Sequence, residues 1–133
     1  MELAFEKLGG LIPGVVQDHR TGEVLMLGYL NPEALEQTQR TGEVHFFSRS
    51  RKRLWKKGET SGHVLRVREL RLDCDADALL LLVEPPGPGV CHEGYRSCFF
   101  RQLEADGSSR VIAERTFVPD EIYGDLSGDR VAK

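Results

Sequence analysis

Three cysteines, three closely spaced aspartates and a run of bases hold most of the chemistry available to this 133-residue chain. Cys74, Cys91 and Cys98 have sixteen and six residues between them. An odd number of cysteines, in a chain opening with the acid-bearing Met1-Glu2-Leu3-Ala4-Phe5-Glu6-Lys7, argues against a secreted disulfide framework. Three inert, buried thiols are the plain alternative. Their neighbours argue otherwise, because Cys74 lies inside Asp73-Cys74-Asp75-Ala76-Asp77 and Cys91 precedes His92 in a Gly/Pro-rich loop that Cys98 closes. Thiolates select zinc or another soft metal. Three of them with an open fourth position describe a catalytic site, in which zinc brings the pKa of a bound water down to about 7. His92 is either a fourth ligand or, turned away from Cys91, a proton-transfer group.

Asp73, Asp75 and Asp77 suggest a different metal. In an extended segment these odd positions face one way and Cys74 the other. Three like charges side by side need a hard cation such as Mg²⁺, or bases close by. A calcium-binding EF-hand loop is excluded, because Ala78 stands where its sharp turn needs glycine and Leu79–Val83 is a continuous apolar run. The competing reading is an acidic turn capping that run.

Ten of the 18 basic residues fall between Arg40 and Arg71, against three acids, while the rest of the chain carries eight bases and eighteen acids. A surplus of seven positive charges inside a chain of net charge −3 points to an anionic partner. Within it, Arg49, Arg51, Ser61 and His63 have the donors that phosphate oxygens need, and the glycines of Lys57-Gly58-Glu59-Thr60-Ser61-Gly62-His63 permit close backbone approach. Trp55 either stacks on a flat base or anchors the core. A zinc-stabilised module binding RNA or single strands through residues 40–71 would use the same residue types, although carboxylates beside such a groove repel phosphate. No Walker or dinucleotide-binding pattern is present.

The elements that must position these groups read as mostly β. Glycine is frequent, 14 residues, and punctuates short apolar runs. Val15–Asp18 and Glu23–Leu27 form a hairpin around His19–Gly22. Asn31-Pro32 caps a helix through Glu33–Thr38 that Gly42 stops. Strands follow at Glu43–Phe47 and Val64–Leu72, the second with a bulge near Arg68-Glu69, where the apolar parity changes. Ala78–Val83 reads as a central strand covered on both faces, and Phe99–Leu103 pairs with Arg110–Ala113. The expectation is one α+β domain over residues 1–133, predominantly β: a mixed sheet curled into a barrel-like core with one or two short helices. Residues 104–133 are expected to be a peripheral tail. Apolar residues at 40% and charged residues at 29% exclude a disordered chain, and no apolar run approaches a membrane span.

Taken in order, these segments resemble the phosphoribosyl-AMP cyclohydrolases of histidine biosynthesis, in their monofunctional form. The matching blocks include Gly10–Pro13, Gly22–Leu27, Asn31–Leu35, Phe47–Arg51, Leu54-Trp55, Lys57–His63, Leu72–Leu80, Cys91-His92 and Ser97–Phe99. The resemblance spans residues 9 to 101. It implies hydrolysis of the N1–C6 bond of the adenine ring of phosphoribosyl-AMP by a homodimer needing Zn²⁺ and Mg²⁺. The acids near the N-terminus and the lack of a long apolar run separately give the expectation of a cytoplasmic protein. Carried over by position, Cys74, Cys91 and Cys98 would hold zinc shared between the two subunits, and Asp73, Asp75 and Asp77 would hold magnesium. His92 would serve proton transfer, and Arg49, Arg51, Trp55, Ser61 and His63 would face the substrate. No nucleic acid and no membrane enter this reading. Two features depart from the family pattern: the Pro85–Val90 loop is one residue longer, and Glu93 stands in place of a threonine.

Overall fold

A computed structural model describes residues 2–59, 62–84 and 87–118. Ser61 and residues 119–133 of the expected tail lie outside the described residues. After a 3₁₀ turn at Phe5–Leu8 come β1 (Ile12–Asp18), β2 (Val24–Leu30), α1 (Pro32–Thr41), β3 (His45–Ser48), β4 (Arg53–Lys56), β5 (Arg66–Leu72), β6 (Leu79–Glu84), β7 (Arg101–Leu103) and β8 (Ser109–Val111).

Period-two burial in β1 sends Ile12, Gly14, Val16 and Asp18 inward. β1 is antiparallel to β2, with Ile12 opposite Leu30, and parallel to β6, with Gly14 opposite Leu79. Pro13 is tolerated because pairing to β6 starts one residue after it. β5 runs antiparallel to β6, and its register skips between Val67 and Glu69, where the change of parity requires a bulge. The sheet is therefore mixed, in the order β2-β1-β6-β5, with the Leu-rich β6 inside it.

The helix forms as its caps dictate. Asn31 Oδ1 accepts from Ala34 N at 2.8 Å, Pro32 takes the first position, and Gly42 at φ 75° ends it. Its inner face buries Ala34, Leu35 and Thr38. β3 and β4 form a second sheet that the charges of Arg53, Lys56 and Lys57 conceal in the sequence. Phe46 of β3 lies against β2 because residue 28 is glycine: a Cβ there would stand 2.6 Å from the Phe46 ring. Phe46 and Trp55, with ring centroids 5.2 Å apart, join the main core.

Val44 N donates to Leu65 O at 2.9 Å and Val67 N to Gly42 O at 2.8 Å, stitching the approach to β3 onto the start of β5. Pairing ends there, because the chain just before Arg66 is irregular. Among the described residues the three sheets stay separate, so the expected barrel-like closure is not formed by strand pairing. The architecture is mixed α+β, mostly strands with one α-helix. No helix is long and apolar enough to cross a membrane among the described residues.

The register defines two ends of the large sheet. At one end lie the starts of β1 and β6 and the ends of β2 and β5. At the other, Val24 at the start of β2 faces Gln17, which faces Leu82.

Candidate active site

The aspartates sit in the loop from β5 to β6. Their ligand oxygens converge within 4.8 Å of one another, the one such metal-capable group among the described residues. Strand parity does not bring them together, contrary to expectation, because the segment is a turn. Ala76 adopts φ 59°, and Asp73 Oδ1 accepts from the N–H groups of Asp77 (3.1 Å) and Ala78 (3.3 Å). Ala76 O in turn accepts from Ala4 N at 2.7 Å, docking the N-terminal segment on the loop. That contact delivers Lys7, whose Nζ lies 3.1 Å from Asp75 and 3.2 Å from Asp77. The Lys7 hydrogen bond lowers the Asp75 pKa. Lys7 also pulls Asp77 down, but the neighbouring Asp75, burial and Asp73 outweigh it, and Asp77 ends above its ordinary value. The Lys7 ammonium offsets part of the charge of Asp75 and Asp77, and the all-oxygen donor set of the three aspartates is of the type that suits a hard cation such as Mg²⁺.

Cys91 and Cys98 sit at the opposite end. Val90 N donates to Arg96 O (3.0 Å) and Cys91 N to Tyr95 O (3.1 Å), closing a tight loop. It is fastened to β2 by Cys98 N to Leu25 O (2.7 Å) and by Ser97 Oγ to Val24 O (2.7 Å). Arg96 reaches Asp18 Oδ2 at 2.6 Å and Glu23 Oε1 at 2.7 Å. Asp18 is 0% exposed. Burial alone would raise its pKa, but the Arg20 N–H and the Arg20 and Arg96 guanidinium groups hold it below 3.8. Cys91 is 2% exposed, and its thiol is brought from 9.0 to about 6. Its hydrogen bond with the Cys98 thiol is the main cause, opposed by burial and helped by the Glu93 N–H, which donates to Sγ at 3.4 Å. A thiol that ionises readily, beside a second thiol and with an N–H aimed at its sulfur, has donor chemistry that suits a soft metal such as zinc. Glu93 helps through its backbone N–H, as a threonine could, while its carboxylate charge, which a threonine would lack, works the other way and raises the Cys91 pKa.

Cys74 does not join them. It follows the end of β5, whereas Cys98 is bonded beside Leu25 at the start of β2. About three residue rises, ~10 Å, separate those levels of the sheet before the loops are added. Ligands on one zinc, at about 2.3 Å each, must nearly touch. The described chain therefore brings two of the three thiols together, and His92 lies half-buried next to Cys91.

Much of the basic stretch is neutralised locally. Arg53 pairs with Glu59, Lys56 with Glu43, Arg68 with Glu84 and Arg71 with Glu69. Arg49 is exposed, with its guanidinium 4.0 Å from the centroid of the Tyr29 ring, and Arg51 is exposed on the same β3–β4 turn. Trp55, of the two roles open to it, takes the core position, being 2% exposed. His63 lies edge-on to Phe117 at 5.7 Å. Gly58 allows the turn before it, since a Cβ there would stand 2.4 Å from Val64 N. Sequence reasoning missed Lys7, Asp18 and the buried Lys57; alternation placing Asp18 inward in β1 was the one available signal.

Residues 26–100 match the family model for phosphoribosyl-AMP cyclohydrolase. Proteins named phosphoribosyl-AMP cyclohydrolase are similar along most of their length. That of Nitratidesulfovibrio vulgaris is 56% identical over 119 residues, covering 90% of this chain and 94% of its own. That of Solibacter usitatus is 55% identical over 127 residues, covering 96% and 100%. The archaeal protein of Methanosarcina barkeri is 61% identical over 114 residues, covering 86% and 84%. With its aspartate cradle and thiol pair in a chain that matches these enzymes so widely, the protein belongs to the phosphoribosyl-AMP cyclohydrolase family and is an enzyme of that type.

Proposed function

We propose that this chain opens the adenine ring of phosphoribosyl-AMP at its N1–C6 bond, a step of histidine biosynthesis, as a homodimer with Zn²⁺ and Mg²⁺. The observation that carries the two-subunit reading is the placement of Cys91 and Cys98 at one end of the sheet and Cys74 at the other. Two copies related by a two-fold axis can each lend Cys74 to the thiol pair of its partner, giving two equivalent three-thiolate sites. The exposed apolar side chains of Phe99, Leu103, Val111 and Ile112, next to Cys98 in the β7–β8 region, offer surface for the second copy.

Zinc, when bound, supplies Lewis acidity and an activated water for the hydrolysis. The chain's own groups do the rest. His92 passes a proton to the departing N1 as the water oxygen becomes the carbonyl oxygen on C6. Asp73, Asp75 and Asp77 would hold Mg²⁺, in place of the Lys7 ammonium that pairs with two of them. Arg49, Arg51, Ser61 and His63 receive the phosphates. A cytoplasmic setting keeps the thiols reduced for the metal. The nucleic-acid alternative is weaker, because Trp55 is in the core and four basic residues of the stretch are paired with carboxylates.

The test is turnover of phosphoribosyl-AMP by the purified protein, followed by absorbance of the imidazole product. Activity with Zn²⁺ and Mg²⁺ that a chelator abolishes is expected. No turnover with both metals present would overturn the reading.

A further inference from the structure

A cavity of about 380 Å³ opens where the Gly9-Gly10 turn, the start of α1 and the β3–β4 turn meet. Gly9, Gly10, Asn31, Phe47, Arg49 and Lys52 are among its lining residues, and no carboxylate is. We propose that it is a subsite for a phosphate monoester and the sugar attached to it, with Arg49 and Lys52 as the phosphate-binding pair. This rests on the reading that the substrate is a phosphorylated nucleotide, and it adds Lys52, Gly9 and Gly10 to the residues that meet it.

Four observations converge. First, Arg49 and Lys52 have no carboxylate partner among the described residues, whereas Arg53, Lys56, Arg68 and Arg71 of the same basic stretch all do. A second cavity of about 400 Å³, near His19, has its Arg68 and Arg71 already occupied by Glu84 and Glu69. Second, Asn31 is the N-cap of the ten-residue α1, so the positive end of the helix dipole borders the cavity. Third, the Arg49 guanidinium carbon lies over the Tyr29 ring, 4.0 Å from its centroid, which limits the freedom its fork would otherwise lose on binding. Fourth, Lys52 sits at φ 54°, where glycine is the easy occupant, so the chain accepts backbone strain with a cation at that position.

The walls fit the ligand class. A Cβ built on Gly9 or Gly10 meets nothing within 4 Å, so both glycines leave open space on that side. A cavity near the lower end of the ~300–1,000 Å³ range holds a phosphosugar rather than a whole bis-phosphorylated nucleotide. Its position is also apt. The Phe5–Leu8 turn that carries Lys7 to the aspartate loop leads straight into Gly9-Gly10, so the cavity and the carboxylate cradle share one end of the sheet.

The experiment is calorimetric titration of the metal-free protein with ribose 5-phosphate, with ribose as the uncharged comparison. Binding of ribose 5-phosphate and none of ribose is expected. Lys52→Gly keeps the backbone comfortable and should weaken binding about tenfold or more, the worth of a charge-assisted contact. Lys52→Arg should restore most of it, and Arg40→Gln, at the far end of α1, should leave it unchanged. If Lys52→Gly binds as tightly as the parent, or the parent binds ribose 5-phosphate no better than ribose, the subsite is overturned even if phosphoribosyl-AMP is turned over. Lys52-dependent binding in a protein that cannot turn over phosphoribosyl-AMP would support the subsite and overturn the substrate assignment instead.

Discussion

Lys7 and Asp75, 68 positions apart in sequence, are joined by an ion pair of 3.1 Å. The pair puts a tethered ammonium where a divalent cation would neutralise the aspartate loop, and ties the N-terminal segment to that loop. Any metal entering the cradle competes with Lys7 for Asp75 and Asp77.

Lys7→Gln should therefore raise the affinity of the metal-free protein for Mg²⁺ or Mn²⁺. The pair is half-exposed, so the gain should be modest, about two- to fivefold. Calorimetric titration with Mn²⁺ reads it directly. A lower affinity in the variant would mean that Lys7 assists metal binding.

The split of the thiols predicts complementation between inactive variants. Cys74→Ser and Cys91→Ser should each lose zinc and activity when pure. Mixed, unfolded and refolded together, they should recover about a quarter of parental activity, because random pairing makes half the dimers mixed and each mixed dimer has one intact site. A mixture as inactive as its components would place all three ligands in one chain.

Asp18 predicts an acid-sensitive anchor. Its pKa is lower in the folded protein than its ordinary 3.8, so its stabilising effect is present above that value and is lost as pH falls through the folded value. Asp18→Asn should cost about 1–3 kcal/mol at neutral pH, by leaving the Arg96 guanidinium short of an acceptor. It should also flatten the decline in melting temperature below about pH 4. Thermal melts from pH 3 to 7 report both. A variant melting curve parallel to the parent's at every pH would show that another carboxylate sets the acid limit.

Tyr29 is a positioning residue for Arg49. Tyr29→Leu should raise KM about two- to fivefold with kcat little changed, since a half-exposed cation–π contact is worth about 0.5–1 kcal/mol. Tyr29→Phe should restore KM, because the ring face is what Arg49 uses. Loss of kcat in both variants would point to a general packing defect.

Local rules made much of this legible. Asn31, Pro32 and Gly42 fix the helix ends by capping chemistry within a few residues, and the parity break at Arg68-Glu69 is a bulge. The convergence of the aspartates was also legible, but through strand alternation. The actual cause is a turn with Ala76 in the left-handed region and Asp73 bonded back to the backbone, which one-dimensional spacing does not reveal. β4 was hidden because Arg53, Lys56 and Lys57 outweigh Leu54 and Trp55 in any hydropathy reading. Lys7 and Asp18 were hidden because their partners are 68 and 78 positions away.

One consequence follows from the thiols lying at opposite ends of the sheet. If each zinc site draws on two chains, the catalytic unit is an encounter between them, and a lone folded chain is inert. Specific activity then depends on how much enzyme is present. Above the dissociation constant of the dimer it is level, and far below it the total rate falls with the square of chain concentration. Dilution alone would silence the protein while every strand and helix stayed intact.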